Sequence, residues 1–345
     1  MSEPGAKPSV WIVILTYNGL EDTRKCLATV AAAVHDNPIA DIRPLLVDNG
    51  STDGTEAVIR AEFPWCPILR IEQNNGPAAG NNRGIEHALA HGADWVMLLN
   101  NDTLVRRELV TTMAAAATAN PAYAILGPVL NYMSEPAIVM TDAVLFNRPT
   151  FHGFFERKEV PVTLSQPPAA TDTDVVNGCC MMIAAPVFRA IGQFDESMFI
   201  YHDETDFCLR AWAAGFRCGV IDHQLVWHKG SSTFVDVGKR MARYYDSRNL
   251  WYVLRKHHGA KRHGRSWRST AAMYVRYNYY RYCVERENNF PVSADAVIEG
   301  ICDGFAGRGG RYVERRRPFL ALWRLLFNAL QRRPRVKRRE APAAE

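Results

Sequence analysis

Several features that would place this chain of 345 residues in a common class are missing from it. Its eight cysteines form no C-x-x-C pair, and their spacings match neither a zinc site nor a dense disulfide scaffold. No run of about 18 apolar residues is present, so we expect no membrane-spanning helix. The opening residues, MSEPGAKP, have no apolar core and predict no signal peptide. Together these absences favour a globular protein of the reducing cytoplasm.

Two common nucleotide-binding fingerprints are also missing. A dinucleotide fold has G-x-G-x-x-G directly after its first strand, but here the first predicted strand, residues 10–15, is followed by Thr16, Tyr17, Asn18 and Gly19. No G-x-x-x-x-G-K-[ST] sequence occurs either. These absences argue against dinucleotide and P-loop chemistry.

Positive charge is concentrated at the end of the chain. Residues 311–345 contain eleven Lys/Arg and three Asp/Glu, a net charge of +8, so the other residues are near −3 against the overall +5. Basic and aromatic residues also alternate through residues 240–287, but acids are interspersed among them. This favours a helical region that packs aromatic faces, and we expect no nucleic-acid partner.

Strand and helix patterns alternate through the first hundred residues. Short apolar runs predict strands at 10–15, 44–47, 67–71 and 95–99, and each ends in small and polar residues. Helical patterns separate them, at 21–34, 56–62 and 85–91. This alternation predicts an α/β fold with a parallel sheet that binds a ligand along its carboxyl edge.

The buried strand 95–99 ends directly in Asn100, Asn101, Asp102 and Thr103. A lone carboxylate with amide neighbours suits a hard divalent ion that keeps water ligands and takes phosphate oxygens. The alternative is that these residues cap a helix whose first turn is Leu104–Arg107.

A second group of carboxylates, Asp203, Glu204 and Asp206, opens a predicted helix after Tyr201 and His202. Acids in a first turn favour the helix dipole, which is one explanation. A carboxylate among aromatic rings is also partly desolvated, which raises its affinity for a proton as a general base requires. Further on, His228 follows another apolar strand, and the pattern leaves open a structural role or a contact with a metal or phosphate.

The chain divides at about residue 232. We predict a catalytic domain over 1–232, with halves at about 9–130 and 174–232 and a long loop between them, followed by a helical region over 233–345. In the last predicted helix, 318–330, Phe319, Leu322, Trp323, Leu326, Phe327 and Leu330 share one face. With the basic residues around it, this helix suits an anionic membrane surface; docking on the body of the protein is the alternative.

The ordered set of motifs resembles the family 2 glycosyltransferases of the GT-A fold, especially bacterial rhamnosyltransferase-like members. The resemblance covers about residues 10–254 and rests on VILTYNG, VDNGSTDGT, NNGPAAGNNRG, LLNNDT, NGCCMMI, FDE followed by YHDETDFCLR, VWHKGSS and YYDSRN. It implies a Rossmann-like nucleotide-diphospho-sugar transferase fold, with a mostly parallel sheet flanked by helices and a C-terminal helical extension.

For the donor side, the resemblance implies that Asp48 hydrogen-bonds the base while Thr16 and Tyr17, next to Asn18, line its pocket. It places Asn75, Gly76 and Asn81 near the diphosphate, and Asn100 and Asn101 beside the sugar or ribose. Asp102 is the implied ligand of Mg²⁺ or Mn²⁺.

The resemblance implies that five residues lie on the acceptor side of the site: Gly178, Cys179, Tyr201, His202 and Asp206. The implied base is Glu204, with Asp203 as the alternative, because the family's usual Glu-Asp pair is reversed here. His228 would complete the metal or diphosphate site, with Arg248 and Asn249 in support.

The function implied is inverting transfer of a sugar from a UDP or dTDP donor, such as dTDP-rhamnose, to a hydroxyl of a glycan or lipid-linked saccharide in cell-surface polysaccharide synthesis. A cytoplasmic enzyme that contacts the inner face of the cell membrane through its tail fits this picture. A sugar-nucleotide nucleotidyltransferase and a non-catalytic nucleotide- or sugar-binding scaffold are the alternatives, and a homo-oligomer stays open.

Overall fold

The computed structural model describes residues 7–34, 38–145, 158–159, 166–230, 239–257, 266–317 and 319–331. Its strands are β1 (Ser9–Thr16), β2 (Asp41–Asp48), β3 (Ile68–Arg70), β4 (Trp95–Asn100), β5 (Thr103–Val105), β6 (Tyr123–Tyr132), β7 (Ile138–Thr141), β8 (Lys158–Glu159), β9 (Ala170–Asp172), β10 (Cys180–Ala184) and β11 (Arg217–His228). Its α-helices are α1 (Leu20–Val34), α2 (Thr55–Glu62), α3 (Pro77–Ala90), α4 (Leu109–Ala119), α5 (Ala185–Ile191), α6 (Asp203–Ala213), α7 (Arg240–His257), α8 (Trp267–Glu287), α9 (Pro291–Phe305) and α10 (Leu320–Gln331).

All eleven strands belong to one mixed sheet, whose main path runs β3-β2-β1-β4-β10-β6-β11-β5. β1 pairs in parallel with β2 and β4, β2 with β3, and β6 with β11. β10 enters between β4 and β6 and is antiparallel to both. The first half of the chain therefore forms the parallel sheet that its strand and helix pattern predicts, and β10 joins it to the second half.

Both faces of the sheet are covered by helices. Alternate residues of β1 contribute to the two cores: Ile12 and Ile14 pack toward α1, α2 and α4, while Val13 packs toward α3, α5 and α6. Because successive side chains of a strand point to opposite faces, a strand buried on both sides must be apolar throughout. This explains the uninterrupted apolar runs of β1 and β4.

Helix α3 begins at Pro77, eight residues before the predicted start at 85. The Asn- and Gly-rich segment 74–84 precedes the predicted helix, but most of it is helical as well. The reason is close packing on the sheet: a Cβ on Gly84 would lie 2.3 Å from Cγ1 of Val13, and a Cβ on Gly80 would lie 2.5 Å from Cδ1 of Leu15. Small residues let the helix approach the strands, so their composition does not indicate a loop here.

Three other boundaries differ from the prediction. Thr103–Val105 is a strand paired with β11, so the residues after β4 do not cap a helix. The apolar strand predicted before His228 is the end of one long irregular strand, β11. The predicted loop over 131–173 includes β7, which pairs with β6, β8, which pairs with β7, and β9, which pairs with β11. Residues 146–157 and 160–165 of that segment lie outside the described residues.

Helices α7 to α10 form a separate apolar cluster that packs against Met198 and Leu209 of the catalytic half. The proposed boundary at 232 lies outside the described residues, so the division into two domains stays a prediction. In α10, Trp323 and Phe327 pack inward, whereas Phe319, Leu322, Leu325 and Leu326 are exposed. The prediction that the apolar side chains of this helix share one face is therefore wrong. Some of them dock the helix on the protein, and others point outward. Among the described residues, no helix has both the length and the apolar character needed to cross a membrane.

Candidate active site

The carboxyl ends of the parallel strands bring the predicted donor residues to one edge of the sheet. Thr16 ends β1 directly opposite Asp48, which ends β2, and Asn100 ends β4 opposite Leu15. This is the edge where open α/β sheets bind ligands. Residues far apart in the sequence therefore meet because their strands are parallel and in register.

The turn after β2 is built around the buried carboxylate of Asp48. Asp48 accepts a hydrogen bond from the backbone N–H of Ser51 at 2.8 Å and forms an ion pair with Arg70. Asn18 joins this turn to the one after β1, because its side-chain oxygen accepts from the N–H of Thr52 at 2.7 Å. These contacts fix the two loops that flank the predicted base pocket.

A cavity of about 490 Å³ opens beside these loops. Tyr17, which is 45% exposed, lies at its wall with Asn75, the residue before the N-terminal cap of α3. Asn81 lies in the second turn of α3 and does not line the cavity. The cavity lining consists of Tyr17, Gly50, Gln73, Asn74, Asn75, Phe199, Gly310 and Arg311.

Asn101 has a structural position. Its side-chain nitrogen donates to the hydroxyls of Thr23 at 2.9 Å and Thr16 at 3.2 Å, and a Cβ on Gly19 would overlap that nitrogen. The amide therefore ties the end of β4 to the turn between β1 and α1. The contact of Asn101 with the donor stays a prediction.

Asp102 and His228 converge at the end of β4. Pairing of β5 with β11 sets His228 opposite Thr103, and His228 Nε2 lies 3.1 Å from Asp102 Oδ1. Burial raises the pKa of the nearby Cys26 thiol to about 12 and that of Cys179 well above its ordinary value, so both stay neutral. The ligands on offer are therefore a carboxylate and an imidazole without a thiolate, which suits Mg²⁺ or Mn²⁺ better than a soft metal.

This pair fits a metal that is only partly held by protein. No group of three or more His, Cys, Asp or Glu suited to a metal exists within the described residues. Mg²⁺ typically takes one or two carboxylates and fills its other positions with water and substrate phosphates. Asp102 with His228 is such an incomplete set.

Strand β10 brings the predicted acceptor residues to this place. The N–H of Asn100 donates to the carbonyl of Cys179 at 2.9 Å, and a Cβ on the preceding Gly178 would lie 3.5 Å from the Cβ of Glu204. The contact with β4 and the contact with Glu204 are therefore made by two adjacent residues, Cys179 and Gly178. The structure therefore brings Glu204 and Asp102 to the same end of the sheet.

The loop before α6 has an unusual backbone. Phe199, Tyr201 and His202 have φ values of 63°, 68° and 66°, in the left-handed region that these side chains disfavour. Asn249 Nδ2 donates to the carbonyls of Met198, Ile200 and Tyr201 at 2.7, 2.8 and 2.9 Å.

The buried guanidinium of Arg248 donates to the Met198 carbonyl at 2.8 Å. Arg248 and Asn249 therefore hold the loop before α6, and in the described residues their hydrogen bonds do not reach His228. Their predicted support of the metal or diphosphate site stays a prediction.

That loop also touches the donor side. A Cβ on Gly76, whose φ is 96°, would lie 2.6 Å from the carbonyl oxygen of Phe199 and 2.7 Å from its ring. Only glycine permits this approach. The predicted diphosphate turn and the predicted acceptor loop therefore form one wall.

The two acids that open α6 are in different environments. Burial, and next the carboxylate of Glu204, raise the pKa of Asp203 well above its ordinary value. Asp203 is the buried member of this pair, and Glu204 is partly exposed.

His202 contacts a residue that the motifs did not single out. Its Nε2 lies 2.9 Å from Oδ1 of Asp246, whose other oxygen accepts from the Tyr277 hydroxyl at 2.8 Å. Burial alone would lower the pKa of His202, but the Asp246 hydrogen bond and the charges of Asp246 and Glu204 outweigh it and raise that pKa. Asp246 belongs to the YYDSRN motif and lies one helical turn before Asn249. This spacing could have identified Asp246 as a site residue from the sequence.

Asp206 faces away from the acceptor loop. Its carboxylate accepts from Arg210 Nε at 2.7 Å and Lys256 Nζ at 3.0 Å, and it lies 2.9 Å from His257 Nε2. The predicted acceptor-side position of Asp206 is therefore wrong, because the side chain is buried in a charged cluster that joins α6 to α7.

Comparison with known proteins agrees with this geometry. The sequence model described as Glycosyl transferase family 2 matches residues 11–183, half of the chain. The chain belongs to glycosyltransferase family 2. It is 23% identical to the dTDP-rhamnosyl transferase RfbF of Shigella flexneri over 72% of this chain and 81% of that protein. It is 25% identical to the N-acetylglucosaminyl-diphospho-decaprenol L-rhamnosyltransferase of Mycobacterium tuberculosis, over 75% and 86%.

Solved structures support the fold assignment. The crystal structure of S. aureus TarS 1-349 in complex with UDP-GlcNAc aligns with a TM-score of 0.54 at 15% identity, covering 92% of this chain and 87% of that one. Full TarS aligns with a TM-score of 0.56 at 14% identity, over 92% and 53%. The chain therefore has the GT-A fold that the motifs predict, and it is a rhamnosyltransferase-like member of its family.

We predict that Asp206→Asn lowers the free energy of unfolding by about 3 kcal/mol at pH 7, because it leaves the largely buried Arg210 without its acid partner. Burial raises the pKa of Asp206, but the bonds with His257, Arg210 and Lys256 outweigh it and lower that pKa to about 2. A depressed pKa stabilises the protein above the unfolded value of about 3.9, and this contribution disappears as the pH falls toward 2. Urea unfolding at pH 7, 5 and 3 should show the difference between the two proteins narrowing at pH 3.

The matched control is Glu86→Gln, which removes a carboxylate from an exposed pair with Arg83. We expect it to change stability by about 0.5 kcal/mol or less. A loss in Asp206→Asn that is the same at every pH would contradict the role of the carboxylate charge.

Proposed function

We propose that this enzyme transfers a sugar, with inversion, from a UDP or dTDP donor to a hydroxyl of a glycan or lipid-linked acceptor in cell-surface polysaccharide synthesis. One observation carries the proposal. Glu204 lies against Gly178, and the next residue, Cys179, is hydrogen-bonded to Asn100 two positions before Asp102. A base and a metal-ligating carboxylate therefore flank one reaction site between the donor and acceptor halves.

The donor sugar is proposed from the relatives. The two rhamnosyltransferases named above both cover more than two thirds of this chain, and the name of one specifies a dTDP-rhamnosyl donor. The carboxylate of Asp48 is fully buried and already bonded to the Ser51 N–H and to Arg70, so its proposed part is to fix the turn that flanks the base pocket. We therefore propose dTDP-rhamnose first and a UDP-hexose second.

Asp102 and His228 would hold Mg²⁺ or Mn²⁺, which neutralises the charge of the leaving diphosphate when it is bound. Glu204 accepts the proton of the acceptor hydroxyl as its oxygen attacks the anomeric carbon. The bond from that carbon to the diphosphate oxygen breaks on the opposite side, so the configuration inverts. The raised pKa of Asp203 favours its protonated form, which makes Asp203 the poorer candidate for the base.

We predict that Glu204→Gln lowers turnover by at least about a hundredfold, because a positioned base contributes about that much. Asp203→Asn should lower turnover by less than about tenfold, because an amide resembles a protonated carboxyl in shape and hydrogen bonding. The assay follows nucleoside diphosphate release from dTDP-rhamnose and UDP-hexoses with a lipid-linked saccharide. NMR of the product reports its anomeric configuration.

Donor affinity, measured by calorimetry, serves as the control and should change less than about twofold in both variants. Loss of affinity equal to the loss of turnover in Glu204→Gln would contradict the assignment of the base. Full activity in Glu204→Gln with none in Asp203→Asn would make Asp203 the base. A retained anomeric configuration would contradict in-line transfer.

We also propose that the outer face of α10 contacts an anionic membrane surface. Phe319, Leu322, Leu325 and Leu326 are exposed on it, and the exposed Arg315 and Arg316 precede it. Six further Lys/Arg follow in the sequence over 332–339, outside the described residues. An exposed apolar face beside basic residues suits binding in the plane of a bilayer.

Leu325→Glu should abolish co-sedimentation with phosphatidylglycerol vesicles, because it puts a negative charge on the proposed contact face. Leu325 is 68% exposed, and Val292→Glu on α9, where the side chain is 60% exposed, is the matched control that should retain binding. Equal binding of wild-type protein to phosphatidylcholine vesicles, or equal loss in both variants, would contradict the proposal.

A further inference from the structure

The donor-side cavity has one charged side chain among its lining residues, and it comes from the C-terminal helical region. Arg311 lies well beyond residues 11–183, the part that matches the family, yet it lines the cavity with Tyr17 and Asn75. In the described part of the chain, its guanidinium has no hydrogen bond or ion pair. An arginine that faces a cavity without an acid in its lining is available for a ligand.

The backbone that carries Arg311 is fixed on both sides. The N–H of Gly310 donates to the Ser197 carbonyl at 2.6 Å, and the N–H of Tyr312 donates to the Tyr245 hydroxyl at 2.7 Å. Gly310 has a φ of 77°, a conformation that glycine adopts without strain. The turn over 309–312 therefore presents Arg311 to the cavity from a defined position.

The same turn is joined to the acceptor loop by one buried side chain. Arg248 Nη1 donates to the Gly310 carbonyl at 2.6 Å, while its Nη2 donates to the Met198 carbonyl at 2.8 Å. Arg248 has no exposed surface, and its guanidinium lies 4.9 Å from the centre of the Tyr245 ring. The C-terminal turn and the acceptor loop are therefore held as one unit beside the cavity.

The chemistry of the cavity selects an anion. Besides Arg311, its polar side chains are the Tyr17 hydroxyl and the amides of Gln73, Asn74 and Asn75. An arginine fork matches phosphate oxygens in geometry, and hydroxyl and amide groups can donate further hydrogen bonds to them. This lining points to the charged part of a nucleotide.

We propose that Arg311 binds the diphosphate of the nucleotide donor, so that the C-terminal helical region completes the donor site. This inference rests on the proposed function, because that function supplies a nucleoside diphosphate as the ligand. In this proposal, the C-terminal helical region contributes directly to the affinity for the donor, in addition to packing against the rest of the protein.

The test compares Arg311→Gln with Arg276→Gln in the full chain. Arg276 is an exposed arginine on α8 that does not line the cavity, so its substitution makes the same charge change elsewhere. Calorimetry measures UDP and dTDP with Mn²⁺, and uridine and thymidine at millimolar concentration report the base alone. We expect Arg311→Gln to weaken binding of the better diphosphate by about tenfold or more, as loss of a charge-assisted hydrogen bond does. Arg276→Gln should stay within about twofold of wild type, and nucleoside binding should be the same in all three proteins.

The outcomes separate this inference from the proposed function. If wild-type protein binds neither diphosphate, the donor site itself is wrong and Arg311 loses its ligand. If wild type binds but the two variants have equal affinity, only the role of Arg311 is overturned. Weakening of nucleosides as much as diphosphates would also overturn it, because Arg311 would then contact the base.

Discussion

The placement of β10 beside β4 is the constraint on which the rest of the site depends. β4 carries Asp102 at its end, and β10 runs antiparallel to it from the segment that includes Gly178 and Cys179. Because the end of a strand meets the start of its antiparallel neighbour, this pairing brings the second half of the chain to the carboxyl edge of the first. Because Glu204 lies against Gly178, this pairing also brings Glu204 to the end of the sheet where Asp102 lies.

The second constraint is the strained loop over 199–202. Three residues without glycine's freedom occupy the left-handed region there, which costs about 1 kcal/mol or more each. The buried side chains of Arg248 and Asn249 supply the compensating hydrogen bonds to its carbonyls. The helical C-terminal region is therefore part of the site, because α7 provides both side chains and the turn after α9 reaches the donor cavity.

Much of this was predictable from the sequence where periodicity or motif order carried the signal. The buried strands and the carboxyl edge follow from apolar runs that end in polar residues, such as 95–103, whereas the family was identified by the resemblance of the ordered motifs. The sequence did not indicate which distant residues a given side chain would contact. The acid Asp206 resembles its neighbours in sequence, yet a helix turns it toward Arg210, Lys256 and His257. Likewise, Gly80 and Gly84 look like a turn, but their lack of side chains serves helix packing.

The most direct measurement is the melting temperature with UDP and with dTDP, each in Mn²⁺ and in EDTA. A ligand that binds the folded state raises the melting temperature by mass action, so no acceptor is needed. The account predicts a rise with one of the diphosphates that disappears in EDTA and in Asp102→Ala. It should persist in Asp22→Ala, which removes a carboxylate paired with Lys229, next to His228. The absence of a rise with either diphosphate, or a rise of equal size in EDTA and in Asp102→Ala, would contradict a metal-assisted donor site at the end of β4.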